Sequence, residues 1–357
     1  MSRGQYAQGG VDTEEADRAL SRLLLELGPT QAFGPQMDVG VGHFAAVIRV
    51  GSVQLALTTD GVGTKLLVAE LMGRYDTVGI DCVAMNVNDL ICVGAQPLAM
   101  LDYIACEKAD PEVFGALGRG LAEGARQAGI SIVGGETAQV PEMVKGMAQG
   151  SAIDLVGMAL GVVPEGELID GSSIQPGDAV IGIASNGVHS NGYTLARSAL
   201  LGARFKIDEY VDELGTSVGD ELLRPTTIYV PHVKALSNAG IRPRALAHIT
   251  GDGLLNLRRV EAPVGFEITE LPDPPPVFTL IEKLAEVSRG EMRTVFNMGI
   301  GLCVVLPDAD VPRALDALKA TGTEAWRIGH ATADEQRRVL LRPEGLIGTS
   351  KQFVPEA

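Results

Sequence analysis

Apolar residues recur along this chain with two different periods, and the changes between them mark out its elements. From 11 to 27 (VDTEEADRALSRLLLEL) the spacing predicts a helix, with Asp12 and Thr13 as cap candidates and acids in the first turn. GVGHFAAVIRV and SVQLALT, either side of Gly51, predict strands. A loop, TTDGVGTK, leads into a helix ending near Leu71 and a second from Asp76 to Val93. The strand PLAMLDYIAC, a helix over 111–128 and the strand ISIVGG follow. This alternation predicts α/β layers and leaves strand direction open.

Residues 163–178 (VPEGELIDGSSIQPGD) break the pattern with Gly, Pro, Ser and acids, and the strand AVIGIAS starts directly afterwards, which predicts a domain boundary there. The expected division is 1–167, 168–345 and a loose tail, LIGTSKQFVPEA, over 346–357. The second half predicts a helix from about 192, helices near 226–239 and 277–288, and a late strand LCVVLP. LPDPPP at 271–276 reads as a rigid surface loop inside this domain.

Composition sharpens the picture. A chain of 357 residues favours two domains, and 46% hydrophobic but only 4% aromatic content predicts cores of Ala, Val, Leu and Ile. A formal net charge of -16 disfavours nucleic acid and anionic membranes as partners. Cys82, Cys92, Cys106 and Cys303 form no CxxC pair and lie in apolar surroundings, which predicts reduced, buried thiols and disfavours zinc. With no signal-peptide pattern and no apolar run of roughly 20 residues, the expectation is a soluble cytoplasmic protein.

Three loops of the first half hold candidate chemistry. TTDGVGTK lacks the Gly-Lys-Ser/Thr order of a Walker loop, yet Gly61 and Gly63 free backbone amides to approach an anion, and Lys65 adds charge before a helix. Asp60 beside a phosphate makes sense with magnesium between them; the bland alternative is an Asp-capped turn. At 100° per residue, DCVAMNVNDLICV aligns Asp81, Met85, Asn88 and Cys92 with Asp89 on the flank, and places Val83, Val87, Leu90 and Ile91 opposite. The polar face suits metal or hydroxyl contact, or plain solvation. SIVGGETA predicts Glu136 at a strand tip.

In the second half, ASNGVHSNGYTL offers turn amides and a hydroxyl for a second phosphate, with His189 as proton carrier, or simply a set of turns. HITGDG brings His248 and Thr250, and FNMGIG brings Asn297 to the start of a strand. His43, His232 and His330 lack companions and read as structural or surface residues.

Taken in order, YAQGGVD, TDGVGTK, GIDCVAMNVNDL, GAQPL, LDYIA, VGGETA, GVHSNGY, RPTTIYV, AHITGDG and FNMGIG span about residues 6–340. This set resembles the phosphoribosylformylglycinamidine cyclo-ligase (aminoimidazole ribonucleotide synthetase) family of purine biosynthesis. The resemblance implies an α/β, two-domain PurM-like architecture, each domain a sheet covered by helices, in a homodimer whose N-terminal sheets form a central barrel. It implies that ATP and Mg2+ activate formylglycinamidine ribonucleotide through an iminophosphate, which closes to aminoimidazole ribonucleotide. Asp60 and Asp89 are the implied magnesium ligands. Gly61, Gly63, Thr64, Lys65, Asp81, Asn88 and Glu136 are implied at the nucleotide; His189 and His248 are the implied catalytic groups. Ser190, Asn191, Gly192, Thr250, Gly251 and Asn297 are implied at the substrate.

Relatives in the wider superfamily, and a nucleotide-binding dimer without catalysis, are the competing readings. Three departures fall in the second half: Gly251-Asp252-Gly253 stands for a triple glycine, Asn256 stands alone for a Glu-Asn pair, and an Arg is displaced to 293.

Overall fold

The computed structural model describes residues 13–147, 150–349 and 351–356. The first half builds a six-stranded sheet from β1 (Met37–Val39), β2 (Ala46–Val50), β3 (Val53–Gly61), β4 (Gln96–Cys106), β5 (Ser131–Gln139) and β6 (Ile153–Val163), ordered β1-β2-β3-β6-β4-β5. Only β4 and β5 run parallel, because the helix Pro111–Ala128 between them returns the chain to the same end of the sheet. Local chemistry sets that helix: the Asp110 carboxylate accepts the Glu112 N–H at 2.9 Å, Pro111 occupies the first turn, and Gly129 ends it at φ 70. The expected helix at 11–27 runs Thr13–Leu27; Asp12 and the YAQGGVD motif lie outside the described residues.

The second half begins with β7 (Ala179–Ala184), adds a small hairpin of β8 (Tyr210–Val211) and β9 (Thr216–Ser217), and continues through β10 (Ala245–His248), β11 (Gly265–Ile268), β12 (Ile300–Leu306) and β13 (Ala325–Thr332). β14 (Val339–Leu341), β15 (Leu346–Gly348) and β16 (Phe353–Pro355) complete an eight-stranded sheet ordered β10-β12-β7-β13-β11-β14-β15-β16. β12 is buried along its whole length and β7 almost so, hence their unbroken apolar runs. The expected loose tail is corrected here: β15 and β16 pair with each other and β15 with β14, because Leu346 and Phe353 supply apolar surface that the sheet buries. All four cysteines are buried and unpaired.

The helix Asp76–Cys92 lies at the seam between the halves. It packs on the helix Pro111–Ala128 so closely that a Cβ on Gly120 would stand 1.7 Å from the Asp76 carbonyl oxygen. Of the face read there, Asp81, Met85, Asn88 and Cys92 are buried and Asp89 stays partly open; Asn86 is buried as well. The buried Asp81, Asn86 and Asn88 each meet a partner instead of solvent.

The central partner is Lys65, which is fully buried. Its ammonium lies 2.9 and 2.8 Å from the two Asp81 oxygens and donates to the carbonyls of His189 (3.0 Å) and Arg224 (2.6 Å). Asp81 in turn accepts the Thr226 N–H and hydroxyl, both at 2.6 Å. Loop, helix and second half are thus tied at one point. One apolar cluster also crosses the seam, from Val62, Val78 and Leu90 to Tyr193, Leu222 and Phe296.

Two stability measurements follow. Lys65→Met leaves a buried, uncompensated Asp81 carboxylate and should cost about 3–5 kcal/mol in urea unfolding, partly recovered by adding Asp81→Asn; a loss under about 1 kcal/mol contradicts the rivet. Phe353→Ala should cost about 3 kcal/mol if the terminal strands belong to the core, and near zero if they are a tail.

Candidate active site

Asp60 is the next-to-last residue of β3, and the seam helix fixes it there. The Asn86 side chain accepts the Asp60 N–H and donates to its carbonyl, both at 3.1 Å. Opposite Asp60 stands Gly157, where a Cβ would sit 2.6 Å from the Asn86 amide nitrogen and 2.1 Å from the Met100 methyl, so a larger residue would displace the clamp. The carboxylate accepts the Gly61 N–H at 2.7 Å. Burial, aided by the negative charge of Asp89, raises its pKa to about 6 despite that bond and the charges of His248 and Arg259. Gly63 and Thr64 are exposed beyond it, and Gly63 takes φ 70, a backbone turn suited to glycine.

Asp89, near the C-terminal end of the seam helix, remains partly open. Its Oδ1 lies 2.9 Å from His248 Nδ1 at the end of β10. The other ring nitrogen, Nε2, faces the Asn88 side-chain nitrogen at 3.4 Å. An amide nitrogen only donates, so this network assigns the acceptor role to Nε2 and the proton to Nδ1, directed at Asp89. His248 is wholly buried with both nitrogens engaged. His248, implied as catalytic with its role left open, here holds Asp89 through Nδ1. Asn88, implied at the nucleotide, here donates its amide to the Thr227 carbonyl (2.9 Å) and accepts the Tyr229 N–H (2.8 Å), bracing the seam.

The expected phosphate contact of Lys65 and nucleotide contact of Asp81 are replaced by their mutual buried pair. Glu136 is no strand tip: β5 continues to Gln139, and Glu136 stands exposed on this edge strand opposite Tyr103, accepting the Thr137 N–H at 2.9 Å. Asn297 is also corrected. Its oxygen accepts the Ser185 hydroxyl (2.7 Å) and the Gly299 N–H (2.9 Å), while its nitrogen donates to the Gly187 and Val188 carbonyls (2.9 and 3.2 Å). All its capacity shapes the loop before His189.

That loop does converge on the same region. His189 takes φ 64 and is 2% exposed, with neither ring nitrogen partnered. Burial, then the nearby His248 and Lys65, hold it well below the usual histidine range, so the ring is neutral. The Ser190 hydroxyl lies 3.3 Å from Asp81 and 3.0 Å from the Thr226 hydroxyl, and the Asn191 amide nitrogen is buried without a partner. Gly192 presses on Phe296, where a Cβ would meet the ring at 2.3 Å. Thr250 and half-buried Gly251 follow β10, with Gly251 beside Asn191.

Of the departures, Asn256 donates to the Gly251 and Gly253 carbonyls (2.7 and 2.9 Å), and Arg293 forms a two-pronged pair with Glu344, both bonds 2.8 Å. Asp252 adopts φ 71, and protein around its solvent-touched carboxylate raises its pKa, with Arg259 opposing.

The sequence reading did not single out Phe44 or Arg259, took Thr226 only as part of RPTTIYV, and read His43 as structural or surface. Arg259 lies over the Phe44 ring, 4.8 Å from its centre, and burial together with the Arg259 charge pulls His43 down to about 4. The only signal was GHF, a histidine and an aromatic among glycines before a strand. Among the described residues no group of three or more His, Cys, Asp or Glu could hold a metal alone. Two carboxylates, Asp60 and Asp89, suit magnesium, which completes its shell with phosphate and water oxygens.

The arrangement has relatives. The family model described as AIR synthase related protein, N-terminal domain, matches residues 42–163, and its C-terminal domain counterpart matches 175–342. The phosphoribosylformylglycinamidine cyclo-ligase of Methanothermobacter thermautotrophicus is 44% identical over 328 residues, covering 92% of this chain and 94% of the relative. The same-named protein of Thermococcus kodakarensis is 46% identical over 340 residues, covering 94% and 97%. The crystal structure of thiamine-monophosphate kinase from Stenotrophomonas maltophilia K279a shares the fold, with TM-score 0.60, 21% identity, and 90% and 96% coverage. With both domain types in order and this identity along nearly its whole length, the chain belongs to the phosphoribosylformylglycinamidine cyclo-ligase family.

Proposed function

We propose that the cleft between the two halves closes the imidazole ring of 5-aminoimidazole ribonucleotide from formylglycinamidine ribonucleotide, converting ATP to ADP and phosphate. The observation that carries this reading is the pairing of an acidic loop, Asp60 to Thr64, with the His189–Asn191 loop of the second half through one buried pair, Lys65–Asp81. An amide oxygen is a poor leaving group. Transfer of the terminal phosphoryl group to the formyl oxygen makes it a good one; the amidine nitrogen then attacks the formyl carbon, and phosphate departs with that oxygen. Such transfer depends on alignment and charge neutralisation.

Asp60 and Asp89 would hold magnesium, which supplies the positive charge that the triphosphate requires. Asn86 fixes Asp60 by its backbone and His248 fixes Asp89 by its side chain, so both carboxylates are set before ligands arrive. The exposed turn at Gly63 and Thr64 offers amides to phosphate oxygens. The neutral His189 ring and the unpartnered Asn191 amide form the polar lining for the reacting formamide. His189, uncharged near neutrality, suits a hydrogen bond that orients the amidine during closure.

The six-stranded sheet supports a homodimer. Its face away from the seam helix exposes Val53, Leu101, Tyr103 and Met158, a contiguous apolar surface that a second copy would cover. No helix among the described residues is long and apolar enough to cross a membrane. A cytoplasmic location is part of the proposal.

Purified protein given formylglycinamidine ribonucleotide, ATP and magnesium should form ADP and aminoimidazole ribonucleotide one to one; folded protein that binds ATP and makes no product overturns the reading. Asp60→Asn should lower kcat by at least about a hundredfold. The same change should alter stability in a pH-dependent way. A carboxyl whose pKa rises from 3.8 to about 6 on folding binds its proton more tightly when folded, so its burial costs nothing below about pH 4 and its full amount above pH 6. Two units correspond to about 3 kcal/mol, reduced by solvent to about 1–2 kcal/mol. Ligand-free Asp60→Asn should therefore gain about 1 kcal/mol over the parent at pH 8 and nothing at pH 4, read by urea unfolding. Equal changes at both pH values would contradict the cause assigned to the shift.

A further inference from the structure

Arg259 closes the turn Gly253–Arg259 and belongs to the second half, whereas Phe44, the ring under its guanidinium, belongs to the first. Phe44 is buried and packs against the core, so the platform is rigid. Among the described residues the guanidinium makes no hydrogen bond and no ion pair. Its neighbours in the fold behave otherwise: Arg258 donates to the Arg337 carbonyl, and Arg293 and Arg244 are paired with Glu344 and Asp178. Stacking on one face fixes the plane of a guanidinium and leaves its five N–H donors along the edge, the geometry that grips two oxygens of one phosphate.

Placement says which chemistry that edge meets. The Phe44 carbonyl accepts the Thr58 hydroxyl at 3.5 Å, and Thr58 precedes Asp60 by two residues on β3, so the platform that carries Arg259 sits beside the strand that ends in the acidic loop. The other cation near this loop, Lys65, is engaged by Asp81 and two carbonyls. A phosphate entering beside Asp60 would meet carboxylates on one side, and Arg259 is the protein cation placed to offset them.

We propose that Arg259 is a phosphate-binding residue of the cleft, taking two oxygens of a phosphate group through its free edge while Phe44 holds its plane. This rests on the phosphoryl-transfer reading above. Two ligands carry the chemistry: the terminal phosphate of ATP and the 5′-phosphate of the ribonucleotide.

The test has a variant arm and a wild-type arm. In Arg259→Gln, affinity for magnesium AMPPNP by calorimetry and KM for the ribonucleotide are measured, with circular dichroism as the fold check. A loss of roughly 10- to 100-fold in one of them, with the other within about twofold, supports the proposal and names the source. Arg259→Lys should recover part of the loss, as charge without the fork. A residue that only pinned the halves together would lower the melting temperature and leave both affinities unchanged, which overturns the proposal.

In the wild-type protein, phenylglyoxal labelling of Arg259 is followed by mass spectrometry with AMPPNP or ribose 5-phosphate present. Protection by either supports the proposal, and protection by neither overturns it. This arm also judges Arg259 if the variant misfolds or if the parent makes no product, since failure of turnover removes the cyclo-ligase reading without changing the protection result.

Discussion

The Lys65–Asp81 pair is the constraint on which the site depends. Removing two charges from water costs several kcal/mol for each, and attraction between them offsets that only with good geometry and further hydrogen bonds. Both conditions are met. Lys65 meets two carboxylate oxygens and two carbonyls, and Asp81 also receives Thr226. Because the carbonyls come from His189 and Arg224, desolvation is compensated only when the loop of the first half and the segments of the second are assembled together. The pair converts a polar cost into a fixed relation between two walls of a cleft. A pair of hydrophobic residues could fill the space but would leave those carbonyls without donors.

From this anchor the electrostatics of the cleft follow. One helix contributes Asp81 to the rivet, Asn86 to the backbone of Asp60, Asn88 to the Thr227–Tyr229 segment and Asp89 to the open side. These four polar residues thus serve four separate contacts, and of the four Asp89 retains contact with solvent. Burial, with the nearby Asp89 charge adding to it, raises the Asp60 carboxyl toward neutrality. A site that holds its carboxylates at such a cost is poised for a cation. In the proposed reading, the acidic chain accepts an anionic nucleotide with a cation, and Arg259 offsets the rest of its charge.

Much of the fold was legible because its elements obey simple periods. The helix expected over 111–128 is observed as Pro111–Ala128, and strands stand on either side of Gly51 as expected. Asp60, the glycines after it and the His189 loop stand out in the sequence because Gly and Asn cluster where the backbone turns. What could not be read was which polar residue faces inward. Lys65, Asp81, Asn88 and Asn297 look identical in sequence to ligand-binding groups, and only tertiary partners reveal that each is engaged by the protein itself. Glu136 was misplaced because two glycines resemble a strand end, although β5 runs through them. The last strands escaped notice because three-residue strands carry too short a pattern. Arg259 escaped because its partner, Phe44, is distant in sequence.

The account stands on the claim that this cleft activates the formyl oxygen by moving a phosphoryl group onto it. The direct measurement is to label that oxygen of formylglycinamidine ribonucleotide with 18O, run the reaction to completion, and examine the inorganic phosphate by mass spectrometry or 31P NMR. The account predicts that each phosphate released carries one labelled oxygen. Unlabelled phosphate, with the label recovered in water, would contradict it.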